Sequence, residues 1–221
     1  MIDTVIFDLD GTLLNTLDDL AASTNAALEM NELPQRTTEE VRMFVGNGVC
    51  NLMRRAIEGG ESNSKFEKTF ADFKVHYAAH CMDRTGAYPG IMALLASLQE
   101  EGFRLGVVSN KFDAAVKKLN LQYFGKYIPV AIGEKTEVHK KPAPDSVFAA
   151  MAELCADAES CIYVGDSDVD ILTAKNAGIP CISVLWGFRD RKFLLEHGAS
   201  VLVEKPEEIL NVIRNMNIRE R

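Results

Sequence analysis

The stretch Thr4-Val5-Ile6-Phe7-Asp8-Leu9-Asp10-Gly11-Thr12 decides the architecture. Four β-branched or aromatic residues in succession read as a short buried strand, and the Asp-rich, Gly-containing segment behind them reads as a tight turn. Asp8 therefore falls at the carboxyl end of a strand. Four further runs, residues 105–108, 129–132, 161–164 and 181–185, are equally short and apolar. Between them the apolar residues recur at helical spacing, as in Met92, Leu95 and Leu98, in Val147, Met151 and Leu154, and in Ile171, Ala174 and Ala177. Strands alternating with helices imply right-handed crossovers and a Rossmann-like parallel sheet with helices on both faces.

Residues 16–85 break that alternation. Some seventy residues are too many for one crossover, and they carry helical periodicity instead: Leu17, Leu20, Ala21, Thr24 and Leu28 on one face, Phe66, Phe70, Phe73 and Tyr77 on another. The expectation is an α/β core of residues 1–15 and 86–221 with an inserted helical bundle, 16–85. Placed above the carboxyl edge of the strands, where open α/β sheets bind ligands, such an insert could serve as a lid.

Composition excludes several functions. The net charge of -8 opposes the phosphate-driven binding on which nucleic-acid proteins depend. The amino terminus, Met1-Ile2-Asp3-Thr4, lacks the basic start of a secretory signal, and no apolar run approaches the ~18 residues that span a bilayer. A cytoplasmic location without membrane or nucleic-acid partners follows as an expectation, for a monomer or homodimer. Cys50, Cys81, Cys155, Cys161 and Cys181 form no C-x-x-C pair and are expected as free thiols. His76 and His80 have the spacing of a zinc-binding helix, but Tyr77 stands where that motif needs glutamate, so a solvated helix face is expected.

The chemistry is carried by carboxylates. Asp8 and Asp10 share the first turn, and Asp166, Asp168 and Asp170 follow residues 161–164 through Gly165. If both turns lie at one sheet edge, each carboxylate pair at about 4 Å repels by roughly 4 kcal/mol at an effective dielectric of 20. A cation must compensate, and Mg²⁺, with its preference for carboxylate, water and phosphate oxygens, suits the set. The blander reading has Asp168 or Asp170 capping a helix that starts near Ile171. Ser109 and Asn110 follow the second strand with donors suited to phosphate oxygens, although both residues also form turns readily. Lys141, before Pro142, offers the fixed positive charge that a phosphate pocket needs.

Asp8-Leu9-Asp10-Gly11-Thr12-Leu13, Ser109-Asn110, Lys141-Pro142 and Gly165-Asp166-Ser167-Asp168-Val169-Asp170 resemble, in order, the four motifs of the haloacid dehalogenase superfamily of phosphatases. The resemblance spans essentially the whole chain. It is nearest to the phosphoglycolate phosphatases, through Val45-Gly46-Asn47-Gly48, Lys140-Lys141-Pro142-Ala143-Pro144-Asp145 and Val164-Gly165-Asp166-Ser167. The resemblance implies Asp8 as nucleophile, Asp10 as general acid and base, and Lys141 as the group that neutralises charge between Asp8 and phosphate. It implies phosphate contacts from Gly11, Thr12, Ser109 and Asn110. It also implies Mg²⁺ held by Asp8, the Asp10 backbone carbonyl and Asp166, with Asp170 in support. Asn15 departs from the aspartate common there. Gly46, Asn47, Gly48, Arg54 and Arg55 are the insert residues suspected of substrate contact, the arginines being equally suited to solvating a helix.

The small phosphorylated substrate implied is 2-phosphoglycolate, with inorganic pyrophosphate, a nucleoside monophosphate or a sugar phosphate as alternatives. Asp10 opposes 2-haloacid dehalogenation. The lack of a histidine before His76 opposes a β-phosphoglucomutase, and the lack of an insert lysine before Lys65 opposes a phosphonoacetaldehyde hydrolase. A non-catalytic receiver-like phosphate sensor is the alternative of a different class; it would be about half this length and would not need Asp10.

Overall fold

The computed structural model describes residues 1–135 and 138–219. In chain order the elements are β1 (Thr4–Phe7), β2 (Leu14–Asn15), α1 (Leu17–Met30), α2 (Thr38–Phe44), α3 (Val49–Ala56), α4 (Phe66–His80), β3 (Gly86–Ala87), α5 (Ile91–Glu100) and β4 (Arg104–Phe112). There follow α6 (Asp113–Tyr123), β5 (Val130–Glu134), α7 (Asp145–Glu153), β6 (Cys161–Gly165), α8 (Asp168–Ala177), β7 (Cys181–Val184), α9 (Arg191–Glu196), β8 (Leu202–Val203) and α10 (Glu207–Arg219). They form two compact units, one of Met1–Leu14 with Ala87–Arg221 and one of Asn15–Gly86.

The first unit is built on six parallel strands in the order β5-β4-β1-β6-β7-β8. All four residues of β1 are buried, which suits a central strand packed on both faces. On one side Phe7 is in register with Val107, and on the other with Val164. Asp8 and Asp166, which follow β1 and β6, and Ser109, two residues beyond Val107 in β4, therefore lie together at the carboxyl edge. The order also reverses at β1, which makes this edge a switch point of the kind where open α/β sheets bind ligands. Ile6, Val108, Ile132 and Tyr163 pack under Val147 and Met151 of α7 and Ala174 and Ala177 of α8 to form one core layer. α5 and α10 pack on each other and bury Ile91, Leu95, Ile209 and Ile213.

Three details differ from the sequence-based expectation. β4 continues past Val108 to Phe112, with a register shift between those residues. β8, a two-residue edge strand, joins the sheet. And α8 begins at Asp168 rather than near Ile171, capped neither by Asp168 nor by Asp170 but by Ser167. The Ser167 hydroxyl accepts from the Asp170 N–H, while the Asp170 carboxylate accepts from the Ser167 N–H.

The second unit is helical, with α1 and α4 packed along each other. Leu20, Ala21 and Leu28 meet Phe66, Phe73 and Tyr77 in its core, with Leu52 and Met53 of α3, and Phe70 lies at the margin. Phe73 and Tyr77 stack at 5.4 Å. α2 starts with a capping box in which Thr37 and Glu40 satisfy each other's backbone donors. The two ends of this unit are tied together by Asp19. Its buried carboxylate accepts from the Arg84 N–H at 3.0 Å, the Thr85 N–H at 2.9 Å and the Thr85 hydroxyl at 2.8 Å. No helix among the described residues is long and apolar enough to cross a membrane.

Candidate active site

At the carboxyl edge of β1 and β6 the carboxylates of Asp8, Asp166 and Asp170, all buried, offer oxygens within 4.8 Å of one another. One ammonium sits among them. Lys141 Nζ lies 2.8 Å from Asp8 Oδ1 and 2.8 Å from Asp170 Oδ1, and donates to the Tyr163 hydroxyl at 3.0 Å. Burial alone would pull this ammonium down, but Asp170 and Asp8 hold it well above the usual lysine range. Lys141 is thus a permanent charge in the site.

A single ammonium is too little for three buried carboxylates. Burial, reinforced by Asp170, raises Asp8 well above its ordinary 3.8 in spite of Lys141. Burial and Asp170 likewise raise Asp166 to about 7, against the opposing pull of the Phe188 N–H, Arg189 and Lys141. Carboxylates that take up protons for want of positive charge are what a cation would replace, and an all-oxygen donor set suits a hard divalent ion. The cluster fits such a site.

The members differ in how much of each is spoken for. Asp170 Oδ1 accepts from Lys141 and, at 3.2 Å, from Tyr163. Its Oδ2 accepts from the Ser167 N–H at 3.1 Å and the Ser167 hydroxyl at 2.6 Å. With both oxygens so occupied, Asp170 orients Lys141 and backs the cluster rather than presenting open lone pairs. Asp166 Oδ2 accepts from the Phe188 N–H at 2.7 Å, and Thr12 Oγ1 approaches Oδ1 at 3.5 Å.

Asp10 is arranged differently. Its carboxylate is not one of the three; it pairs instead with Lys111, whose Nζ lies 2.6 Å from Oδ1, and Ser109 Oγ stands 3.5 Å from Oδ2. Asn110 turns its carboxamide to the Lys141 backbone, donating to the carbonyl at 2.9 Å and accepting from the N–H at 2.8 Å. That two-point clasp fixes the loop that carries Lys141. Gly11 takes φ of 86° in the turn between Asp10 and Thr12. Asp168 opens α8.

Sequence reasoning missed Lys111, Tyr163 and the segment Trp186–Phe188. Lys111 alone left a trace, as a lysine two residues beyond Ser109. The insert residues singled out earlier lie in the helical unit. Gly46, Asn47 and Gly48 take φ of 131°, 59° and 86° between α2 and α3. Arg54 pairs with Glu61, and Arg55 donates to the Phe44 carbonyl at 2.9 Å, so both arginines serve contacts inside that unit.

A parallel sheet that gathers an Asp-x-Asp turn, a serine, a lysine and a second acidic turn at one edge defines a class, and family comparison agrees. Residues 5–184 match the model of the haloacid dehalogenase-like hydrolases, and the chain belongs to that family. Within it the chain is a phosphatase similar to proteins named phosphoglycolate phosphatase. One, from Pseudomonas fluorescens, is 33% identical over 220 residues, covering 96% of this chain and 77% of its own length. Another, from Aquifex aeolicus, is 32% identical over 186 residues, covering 83% of this chain and 85% of its own. A crystal structure of a Lactobacillus delbrueckii subsp. bulgaricus protein, provisionally assigned the same name, superposes with a TM-score of 0.91 at 34% identity, over 96% of this chain and 98% of that one.

Proposed function

We propose that this phosphatase cleaves a small phosphomonoester, 2-phosphoglycolate first among the candidates, by transferring the phosphoryl group to Asp8 and then to water. The observation that carries this reading is Lys141 Nζ, buried 2.8 Å from Asp8 Oδ1 beside two further buried carboxylates. Asp8 and Asp166, with the Asp10 backbone carbonyl, would hold Mg²⁺, and Asp170 would support them. When bound, the ion supplies positive charge to the phosphate oxygens and keeps Asp8 ionised.

The residues of the chain divide the remaining work. Asp8 Oδ attacks phosphorus in line, and the P–O bond to the alcohol breaks as the new bond forms. Lys141 stays beside the attacking oxygen and absorbs charge that builds on the phosphoryl group. Asp10 gives its proton to the leaving alkoxide, then takes one from the water that attacks the aspartyl phosphate. Lys111, 2.6 Å from Asp10, fixes where that carboxylate lies. Ser109, with the Gly11–Thr12 turn, receives phosphate oxygens, and Asn110 contributes by holding Lys141 in place. Gly46, Asn47, Gly48 and Arg54 remain the proposed contacts to the organic part of the substrate, in the helical unit that we take to be a cap.

The test is a ranking of phosphomonoesters by kcat/KM with Mg²⁺ present, to include 2-phosphoglycolate, inorganic pyrophosphate, a nucleoside monophosphate and sugar phosphates, together with an acid quench to trap phosphoprotein. A lead of about tenfold for 2-phosphoglycolate and an acyl phosphate on Asp8 are expected. Equal rates across the panel would defeat the substrate assignment, and turnover with no trapped phosphoprotein would defeat the covalent mechanism.

A further inference from the structure

The segment that leaves β7, Trp186-Gly187-Phe188, belongs to none of the motifs discussed so far, yet it touches two of them. Trp186 Nε1–H donates to the Thr12 carbonyl at 2.9 Å, which ties the segment to the Asp8 turn. The Phe188 N–H donates to Asp166 Oδ2 at 2.7 Å, which ties it to the second acidic turn. Between them Gly187 lies against both. A Cβ on Gly187 would overlap Asp166 Cβ and Oδ2 and would sit 2.5 Å from the Gly11 carbonyl oxygen. A Cβ on Gly11 would in turn sit 2.7 Å from Asp166 Cγ. The Asp166 carboxylate is therefore held between two glycines on neighbouring turns, where no side chain fits.

We propose that Trp186 and Gly187 are positioning residues for the cation site: they hold the Asp166 carboxylate against the Asp8 turn and so set how tightly a divalent cation binds. The inference rests on the reading that Asp8 and Asp166 hold Mg²⁺. The physical reason is that two monodentate carboxylates on separate turns bind a small ion well only if their separation is fixed beforehand, and Mg²⁺ tolerates little departure from octahedral geometry. Groups behind the ligands commonly change metal affinity about 10–100-fold. The Trp186 indole acts on the Thr12 backbone, and Gly187 acts by leaving room.

Calorimetric titration of Mg²⁺ into the metal-free protein tests this, with wild type, Trp186→Phe, Gly187→Ala and Asp190→Ala compared and each variant's melting curve recorded in chelator. Trp186→Phe keeps an aromatic ring and loses the N–H. Asp190→Ala removes the cap that accepts from the Phe193 N–H at 2.8 Å, loosening the same loop without touching Asp166. Gly187→Ala should weaken Mg²⁺ binding by at least about tenfold, Trp186→Phe by about threefold to tenfold, and Asp190→Ala by less than about twofold. If Gly187→Ala gives no cooperative melt, Trp186→Phe decides. A wild type that binds no Mg²⁺ overturns the cation reading itself. A wild type that binds it, with Trp186→Phe and any folded Gly187→Ala binding equally well, overturns only this inference, as does an Asp190→Ala that loses as much as Trp186→Phe.

Discussion

Binding of Mg²⁺ near neutral pH should expel protons from this protein, and the site sets how many. Burial with Asp170 alongside raises Asp166 from 3.8 to about 7, and burial raises Asp8 well above the same starting point. At about pH 6.5 the metal-free fold should thus hold a proton on Asp166 that the unfolded chain does not hold. Because the folded state binds more protons, raising the pH from about 4 through about 7 removes stability from the metal-free protein. At about 1.4 kcal/mol per tenfold change in proton affinity, Asp166 alone accounts for at most on the order of 4 kcal/mol across that window. For a chain of this size that corresponds to a fall in Tm of roughly 10 °C. A divalent ion binds the deprotonated cluster, so it should restore that stability and displace the proton. Calorimetry at about pH 6.5 in buffers of different ionisation enthalpy counts the protons, and at least about one per Mg²⁺ is expected. Melting curves in chelator at pH values from about 5 to 8 supply the other half. Mg²⁺ that binds with no proton release, together with a Tm that stays level across that range, would refute the reasoning.

Asp8→Asn should lower kcat by more than about a thousandfold, since it removes the attacking oxygen, while the metal-free protein melts no lower than wild type because a like charge beside Asp170 has gone. A variant within tenfold of wild type would mean that water attacks directly. Lys141→Met strips the only ammonium within 3 Å of Asp8 and Asp170 among the described residues, and urea unfolding without metal at about pH 8 should show a loss of about 3–5 kcal/mol. Unchanged stability there would show that the carboxylates do not rely on it. Lys111→Gln breaks the 2.6 Å pair with Asp10, and kcat should fall at least about tenfold with KM moved only a few-fold. If KM carries the whole effect, Lys111 binds substrate instead of orienting Asp10.

The parallel sheet was legible because β1 and its neighbours are buried on both faces and so read as unbroken apolar runs ending in turn residues. What such runs lack is any record of which strand lies beside which. That Phe7 pairs with both Val107 and Val164 is a property of the assembled sheet, and it is what brings Asp8 within reach of Asp166. β8 escaped notice for a simpler reason: two residues, Leu202 and Val203, cannot display a period. Ser109 and Asn110 read as residues following the second strand, which form turns readily because Ser and Asn compete locally for backbone hydrogen bonds, yet they and Lys111 lie inside β4, where the register shift accommodates them. The partnership of Lys111 with Asp10 spans 101 residues of sequence. The spacing of neither residue hints at it. Trp186 was silent in the same way, because its indole reaches back 174 residues to a backbone carbonyl, a group every residue carries.

The charges at this edge explain why its parts occur as a set. Asp8, Asp166 and Asp170 outnumber Lys141, with Arg189 drawing on Asp166, and the two positive charges of one small ion would offset the excess without a second lysine among them. A second lysine would cost more room and would compete for the Asp8 oxygen that, on the proposed mechanism, attacks phosphorus. Placing the lysine between Asp8 and Asp170 has a further effect. With its own oxygens committed to Lys141, Tyr163 and Ser167, Asp170 would be held back from an ion bound by Asp8 and Asp166. Asp10 lies outside this balance, its carboxylate paired with Lys111 and not with the cluster, which suits the separate role proposed for it. A proton carrier that was also a ligand would change the charge at the ion each time it worked. On the proposed mechanism two aspartates separated by one residue would take different work because the backbone turn sends one toward Lys141 and the other toward Lys111.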